Sequence, residues 1–118
     1  MITGIHHIAL LISSEETLNF YKALGFTESY RLNRKADTVV LLDGYGLQLE
    51  VFIDNRHPKR VLDLSEPLGT RHFALKVDDL ESTLEQLALE HTDIDSDWTG
   101  IRYCYIQDPD GNQIEVHE

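Results

Sequence analysis

Hydrophobic and polar positions along the chain form a pattern that occurs twice. Ile5 to Ile12 is an apolar run rich in Ile and Leu with a serine pair after it, which predicts a strand ending at a turn. Ser14-Glu15-Glu16-Thr17 opens a helix. Ser14 suits the N-cap, and acidic residues in the first turn complement the helix dipole. Leu18, Tyr21 and Leu24 recur at helical spacing, and Gly25 stops the helix. Strands are expected next at Thr27 to Leu32, Thr38 to Leu42 and Leu47 to Ile53, the last two joined by a glycine-rich turn. After a polar stretch, 54–68, with Pro58 and Pro67, the order repeats. Phe73 to Val77 is a strand, Asp78 or Asp79 a helix cap, and Leu80, Leu84 and Leu87 a buried stripe. Part of Ile94 to Thr99, then Tyr103 to Gln107 and Gln113 to His117, complete the set, with Asp108-Pro109-Asp110-Gly111 as a strong turn signal.

The residues repeat as well as the pattern, at an offset of 65. Gly4-Ile5-His6-His7-Ile8-Ala9-Leu10 lies over Gly69-Thr70-Arg71-His72-Phe73-Ala74-Leu75, with glycine, histidine, alanine and leucine in register. Asp43 to Val51 lies over Asp108 to Val116 with five of nine positions identical. The offset relates His7 to His72 and Glu50 to Glu115. Strand parity places Leu47, Leu49 and Val51 on one face with Gln48 and Glu50 on the other; Ile114 and Val116 likewise oppose Gln113, Glu115 and His117. Each half therefore predicts a sheet with an apolar face for its helix and a second face carrying one histidine and one carboxylate.

Two imidazoles and two carboxylates gathered in a concave site need compensation, because a buried carboxylate must be paired, protonated or bound to a metal. A divalent cation meets that need, and mixed nitrogen and oxygen ligation suits nickel, cobalt, zinc, manganese or iron. A lone histidine in a strand is more often a core or edge residue than a ligand. Two such placements at one offset point instead to one constraint applied twice, and His7, Glu50, His72 and Glu115 are the candidate ligands. By parity His6 should face away from His7, as a structural residue or as a donor to a ligand. His117 shares the face of Glu115 and is a pocket candidate; His57 and His91 carry no role.

With 10 basic against 21 acidic residues in 118, the formal charge is −11, which disfavours nucleic acid and anionic membrane surfaces as partners. The start of the chain shows no basic leader or small-residue cleavage site, and its longest apolar run, Ile8 to Ile12, is far too short to span a bilayer. Cys104 is the only cysteine, so the core forms without a disulfide and a reducing, cytoplasmic location is expected. Cys104 sits in an apolar strand pattern and reads as a packing residue.

The chain resembles the vicinal oxygen chelate superfamily, which contains glyoxalase I, bleomycin-resistance proteins, methylmalonyl-CoA epimerase and extradiol dioxygenases. The resemblance runs through His6 to Leu10, Asn19-Phe20-Tyr21 with Leu24-Gly25-Phe26, Leu49-Glu50-Val51, Arg71 to Asp79, and Asp108 to Gly111 with Ile114-Glu115-Val116, and so covers nearly the whole chain. It implies an α+β fold of two tandem βαβββ modules forming a metal-binding cup: one domain, 1–118, made of module 1 (1–53), a linker (54–68) and module 2 (69–118), commonly completed in a homodimer. The superfamily's metal positions fall on His7, Glu50, His72 and Glu115. A glutamate at Glu50 is similar to glyoxalase I and unlike the extradiol dioxygenases. The implied activity is that of a metal-dependent lyase, lactoylglutathione lyase-like, in which a metal-stabilised enediolate forms from the hemithioacetal of methylglyoxal and a thiol. Glu50 or Glu115 would move the proton, with Glu115 preferred. Glutathione or another thiol would be co-substrate, but the chain departs from the family in showing no cationic set for glutathione carboxylates beyond Arg31, Arg34, Lys35 and Arg102, which read as surface charges; Trp98, Tyr103 and Tyr105 are candidates to line the pocket. The alternatives are a protein that sequesters a drug or metabolite, an epimerase, or a ring-cleaving dioxygenase.

Overall fold

In a computed structural model, which describes residues 1–61 and 66–118, the chain divides into two compact units, 1–58 and 59–118. The middle of the polar stretch expected to be a linker, 62–65, lies outside the described residues.

The first unit runs β1 (Ile8–Ile12), α1 (Glu15–Ala23), β2 (Thr27–Asn33), β3 (Thr38–Gly44) and β4 (Leu47–Ile53). Its four strands form one sheet in the order β1-β4-β3-β2, with β1 parallel to β4 and the other pairs antiparallel. Alternation sends Val40, Leu42, Leu49 and Val51 into a fully buried layer with Leu18 and Tyr21 of α1. Each such side chain contributes roughly 1.5–3 kcal/mol by leaving water. Ser14 occupies the N-cap of α1 with extended backbone, but its side chain makes no capping hydrogen bond. Gly25, at φ +112°, ends the helix where an added Cβ would lie 2.1 Å from the Tyr45 hydroxyl. Arg31 of β2 ties the helix to the sheet by ion pairs to Glu15 and Glu28.

The second unit repeats the plan: β5 (Phe73–Lys76), α2 (Leu80–Gln86), β6 (Asp95–Ser96), β7 (Arg102–Gln107) and β8 (Gln113–His117), in the order β5-β8-β7-β6. Asp79 caps α2 by accepting a 2.7 Å hydrogen bond from the Ser82 amide. The helix is shorter than its apolar spacing suggests. Leu80 and Leu84 are buried, whereas Leu87 falls at the C-cap and is exposed. Both units are βαβββ, and the architecture is the α+β one expected, with mixed four-stranded sheets.

One detail of the repeat changes. Leu41 stands opposite Glu50, and Tyr105 stands opposite Glu115, so β3 and β7 correspond at an offset of 64 rather than 65. The hairpin turns cause the slip. Tyr45 and Gly46 form a two-residue turn with φ of +56° and +75°, the geometry that matches strand twist. In the second unit the loop 108–112 is longer and is built around buried Asp108, whose carboxylate accepts from the amides of Asp110 and Asn112, each at 2.9 Å.

Candidate metal centre

Each unit builds half a site by the same backbone route. In the first, β1 and β4 pair so that Ala9 stands beside Glu50, and His7 lies just before β1. His7 Nε2 is 3.8 Å from Glu50 Oε2, with both side chains about one-third exposed. In the second, Ala74 stands beside Glu115, and His72, just before β5, brings its Nε2 to 3.7 Å from Glu115 Oε2. Within each half the structure brings the histidine, from just before one strand, close to the glutamate of the parallel neighbouring strand. Among the described residues no group of three or more His, Cys, Asp or Glu side chains is gathered to hold a metal, so the pair is the unit of construction.

The pairs fit a divalent cation. Separations of 3.7 and 3.8 Å are too long for a hydrogen bond. They are shorter than two coordinate bonds of about 2.0–2.2 Å laid end to end. His72 Nδ1 adds an observation of its own: it is buried and has no hydrogen-bond partner among the described residues. With Nδ1 buried, Nε2, which faces the Glu115 carboxylate, is the ring nitrogen left to ligate. The donor set, imidazole plus carboxylate in each half, is borderline between hard and soft and matches first-row divalent ions.

The surroundings of the two pairs differ. Opposite Glu50, β3 places Leu41, and Phe52 lies one alternation along β4 on the same face. Opposite Glu115, β7 places Tyr105, whose ring meets His72 edge to face at 5.3 Å and Tyr103 at 5.6 Å. Burial, and then the negative charge of Glu115, push the Tyr105 phenol above its ordinary range, so it stays protonated at neutral pH. The sequence named Tyr105 as a pocket candidate, but its place opposite Glu115 could be seen only from the hairpin register.

Other candidates are engaged elsewhere. His117 Nε2 bonds Asp97 at 3.0 Å and its Nδ1 meets the Glu118 carbonyl at 2.8 Å, so it locks the 97–101 turn to the sheet. Hydrogen bonds from the Thr99 hydroxyl and then the His117 imidazole hold the Asp97 carboxyl well below its ordinary range, and the Asp97 carboxylate in turn raises the His117 pKa. Trp98, on that turn, is 97% exposed. His57 pairs with Asp54, and His91 with the Thr92 carbonyl. Arg31, Arg34 and Arg102 are held by the carboxylates of Glu15 and Glu28, Asp37, and Glu81 and Glu118 respectively. Cys104 is fully buried, and burial pushes its thiol pKa up. His6 departs from the parity argument. The strand begins only at Ile8, so alternation does not govern the two preceding residues, and His6 Nδ1 lies 2.9 Å from His7 Nδ1.

The family model of the glyoxalase/bleomycin resistance protein/dioxygenase superfamily matches residues 4–116. The chain belongs to this superfamily. Among similar proteins of known sequence is YaeR of Escherichia coli strain K12, described as uncharacterized, at 31% identity over 97% of this chain and 95% of that protein. A glyoxalase family protein from Enterococcus faecalis superposes with a TM-score of 0.88 at 35% identity, covering 98% of this chain and 97% of the other. A lactoylglutathione lyase from Agrobacterium tumefaciens shares the fold at a TM-score of 0.70 and 22% identity, over 99% and 94% of the two chains. The superfamily includes many enzymes, glyoxalases and lyases among them. No helix among the described residues is long and apolar enough to cross a membrane.

Proposed function

We propose that this superfamily member is a metal-dependent lyase or isomerase of the glyoxalase I type, acting on a small substrate with adjacent oxygens such as the hemithioacetal of methylglyoxal. The observation that carries the reading is the duplicated pair: His7 with Glu50 at 3.8 Å and His72 with Glu115 at 3.7 Å, on the same strand scaffold in both units. Those four side chains would hold one divalent cation per set. Two carboxylates and two neutral imidazoles offset its charge. When bound, the cation would supply Lewis acidity, polarising the substrate's vicinal oxygens and easing removal of the proton on carbon.

The chain's own groups do the rest. One glutamate takes the proton from one carbon and returns it to the next. Glu115 is assigned this step, because the protonated phenol of Tyr105 stands at the register position opposite it, a polar neighbour that Leu41 does not offer Glu50. Leu41 and Phe52 give the first half an apolar wall. Arg31, Arg34 and Arg102 are already neutralised by carboxylates of the chain, which favours a thiol without clustered carboxylates over glutathione. Since each unit supplies two ligands, a homodimer that combines half-sites belongs to this reading, as does a cytoplasmic location.

The test is metal analysis of the purified protein, followed by assay of thioester formation from methylglyoxal with glutathione and with smaller thiols. Turnover with nickel, cobalt or zinc is expected, and its loss on chelation. A protein that binds no divalent metal, or binds one yet turns over none of these mixtures, contradicts the proposal. Ligand binding that persists undiminished after chelation would favour sequestration instead.

A further inference from the structure

We infer that His6 is a positioning residue that holds His7 in the tautomer able to present Nε2 to a cation; this rests on the metal reading above. The Nδ1 atoms of the two rings are 2.9 Å apart, with the rings nearly perpendicular at 85°. A neutral imidazole carries one N–H, so at that distance one Nδ1 donates and the other accepts. If His6 donates, the proton of His7 sits on Nε2, the nitrogen facing Glu50, and blocks coordination there. If His7 donates, its Nε2 carries a free lone pair towards Glu50 Oε2, 3.8 Å away. A cation at Nε2 selects the second arrangement, and in it His6 Nδ1 accepts from His7 Nδ1–H and stabilises the ring state that the cation needs. Each stabilises the other by the same amount.

The repeat shows that this device is local to the first half. At the position equivalent to His6 the second unit carries Arg71, which is engaged with Glu66 at 3.3 Å, and His72 Nδ1 has no partner among the described residues. His72 is instead held by its surroundings, at 22% side-chain exposure and against the Tyr105 ring, whereas His7 at 35% has less around it to fix its orientation. The more exposed ligand is the one that receives a hydrogen-bonding neighbour.

The test uses the full-length, metal-free protein titrated with nickel against a competing chelator, alongside nitrogen-15 NMR of the imidazoles. His6→Ala should weaken nickel binding ~10–100-fold, the range seen when the group supporting a metal-bound histidine is removed. The melting temperature should not change, since the ring is exposed. His6→Asn, whose side-chain carbonyl can accept from His7 Nδ1, should recover most of the affinity. With zinc bound, the wild type should show the His7 proton on Nδ1 in a hydrogen bond, and His6→Ala should lose that hydrogen bond. Wild-type affinity in His6→Ala, no recovery in His6→Asn, or a zinc-bound wild-type His7 whose Nδ1 proton makes no hydrogen bond overturns this inference alone. A wild type that binds no nickel overturns the metal reading and this inference together.

Discussion

The half-site of the first unit and that of the second are the same in scaffold and different in company. Both place a histidine just before the first strand of a βαβββ unit and a glutamate in the last, so that a parallel pair of strands delivers Nε2 within 4 Å of a carboxylate. Around that shared pair, the first half offers Leu41, Phe52 and the hydrogen-bonding His6; the second offers Tyr105, Tyr103 and tighter burial. The parallel pairing of the first and last strands is thus the same in both units, whereas the hairpin register and the neighbours it supplies differ. The first pair therefore has an apolar wall beside its carboxylate, and the second has a phenolic one.

The comparison breaks most sharply at the ligands. Replacing either His7 or His72 with alanine should weaken divalent metal binding by the same order, roughly 2–4 kcal/mol or about 30- to 1,000-fold, because in the proposed site a binding energy on the order of 10 kcal/mol is shared among four ligands. Competition with a chelator measures this. Full retention by one variant and complete loss by the other would show that the halves do not serve one cation.

A second contrast lies in the hairpins that fix the register. Gly111, at φ +85°, has the Arg60 carbonyl oxygen 2.3 Å from where a Cβ would stand, and backbone cannot step aside. Gly46, at φ +75°, faces open space. Thermal or urea denaturation should show Gly111→Ala destabilising by about 2–4 kcal/mol and Gly46→Ala by only about 1 kcal/mol, the cost of the left-handed backbone itself. Equal effects would mean that the 108–112 loop is looser than its contacts with Arg60 imply.

The smallest effect sharpens the chemical difference. Tyr105 should titrate above the ordinary phenol range, chiefly from burial and next from Glu115. Because a negative neighbour opposes forming phenolate, Glu115→Gln should lower that pKa while leaving it raised by burial; ultraviolet titration reads the shift. The matching Glu50→Gln should leave the Tyr105 titration in place.

Much of this was legible in the residues. Alternation in Leu47 to Ile53 and Gln113 to His117 gave both strands their full extent and the correct buried faces, since one-sided burial leaves a two-residue period in the sequence. The helices were marked by their caps and leucine spacing, but α2 stops short and leaves Leu87 exposed, because nothing in a helical stripe says how much core there is to cover. The four candidate ligand positions stood out because they occur twice. The partnership of His6 with His7 was not, because it depends on the strand beginning at Ile8 rather than Ile5.

By itself, then, the sequence determined the repeat, the two βαβββ units and the side of each sheet on which the histidine and the glutamate stand, because all three are written in periodicity and spacing. Only the tertiary structure decided which neighbours those pairs receive: Tyr105 rather than Cys104 or Ile106 opposite Glu115, Leu41 opposite Glu50, and His6 against His7. Cross-strand partners depend on the length and geometry of a turn, and a two-residue turn in one hairpin against a longer loop in the other slides one strand past the next by a residue without altering the pattern along either.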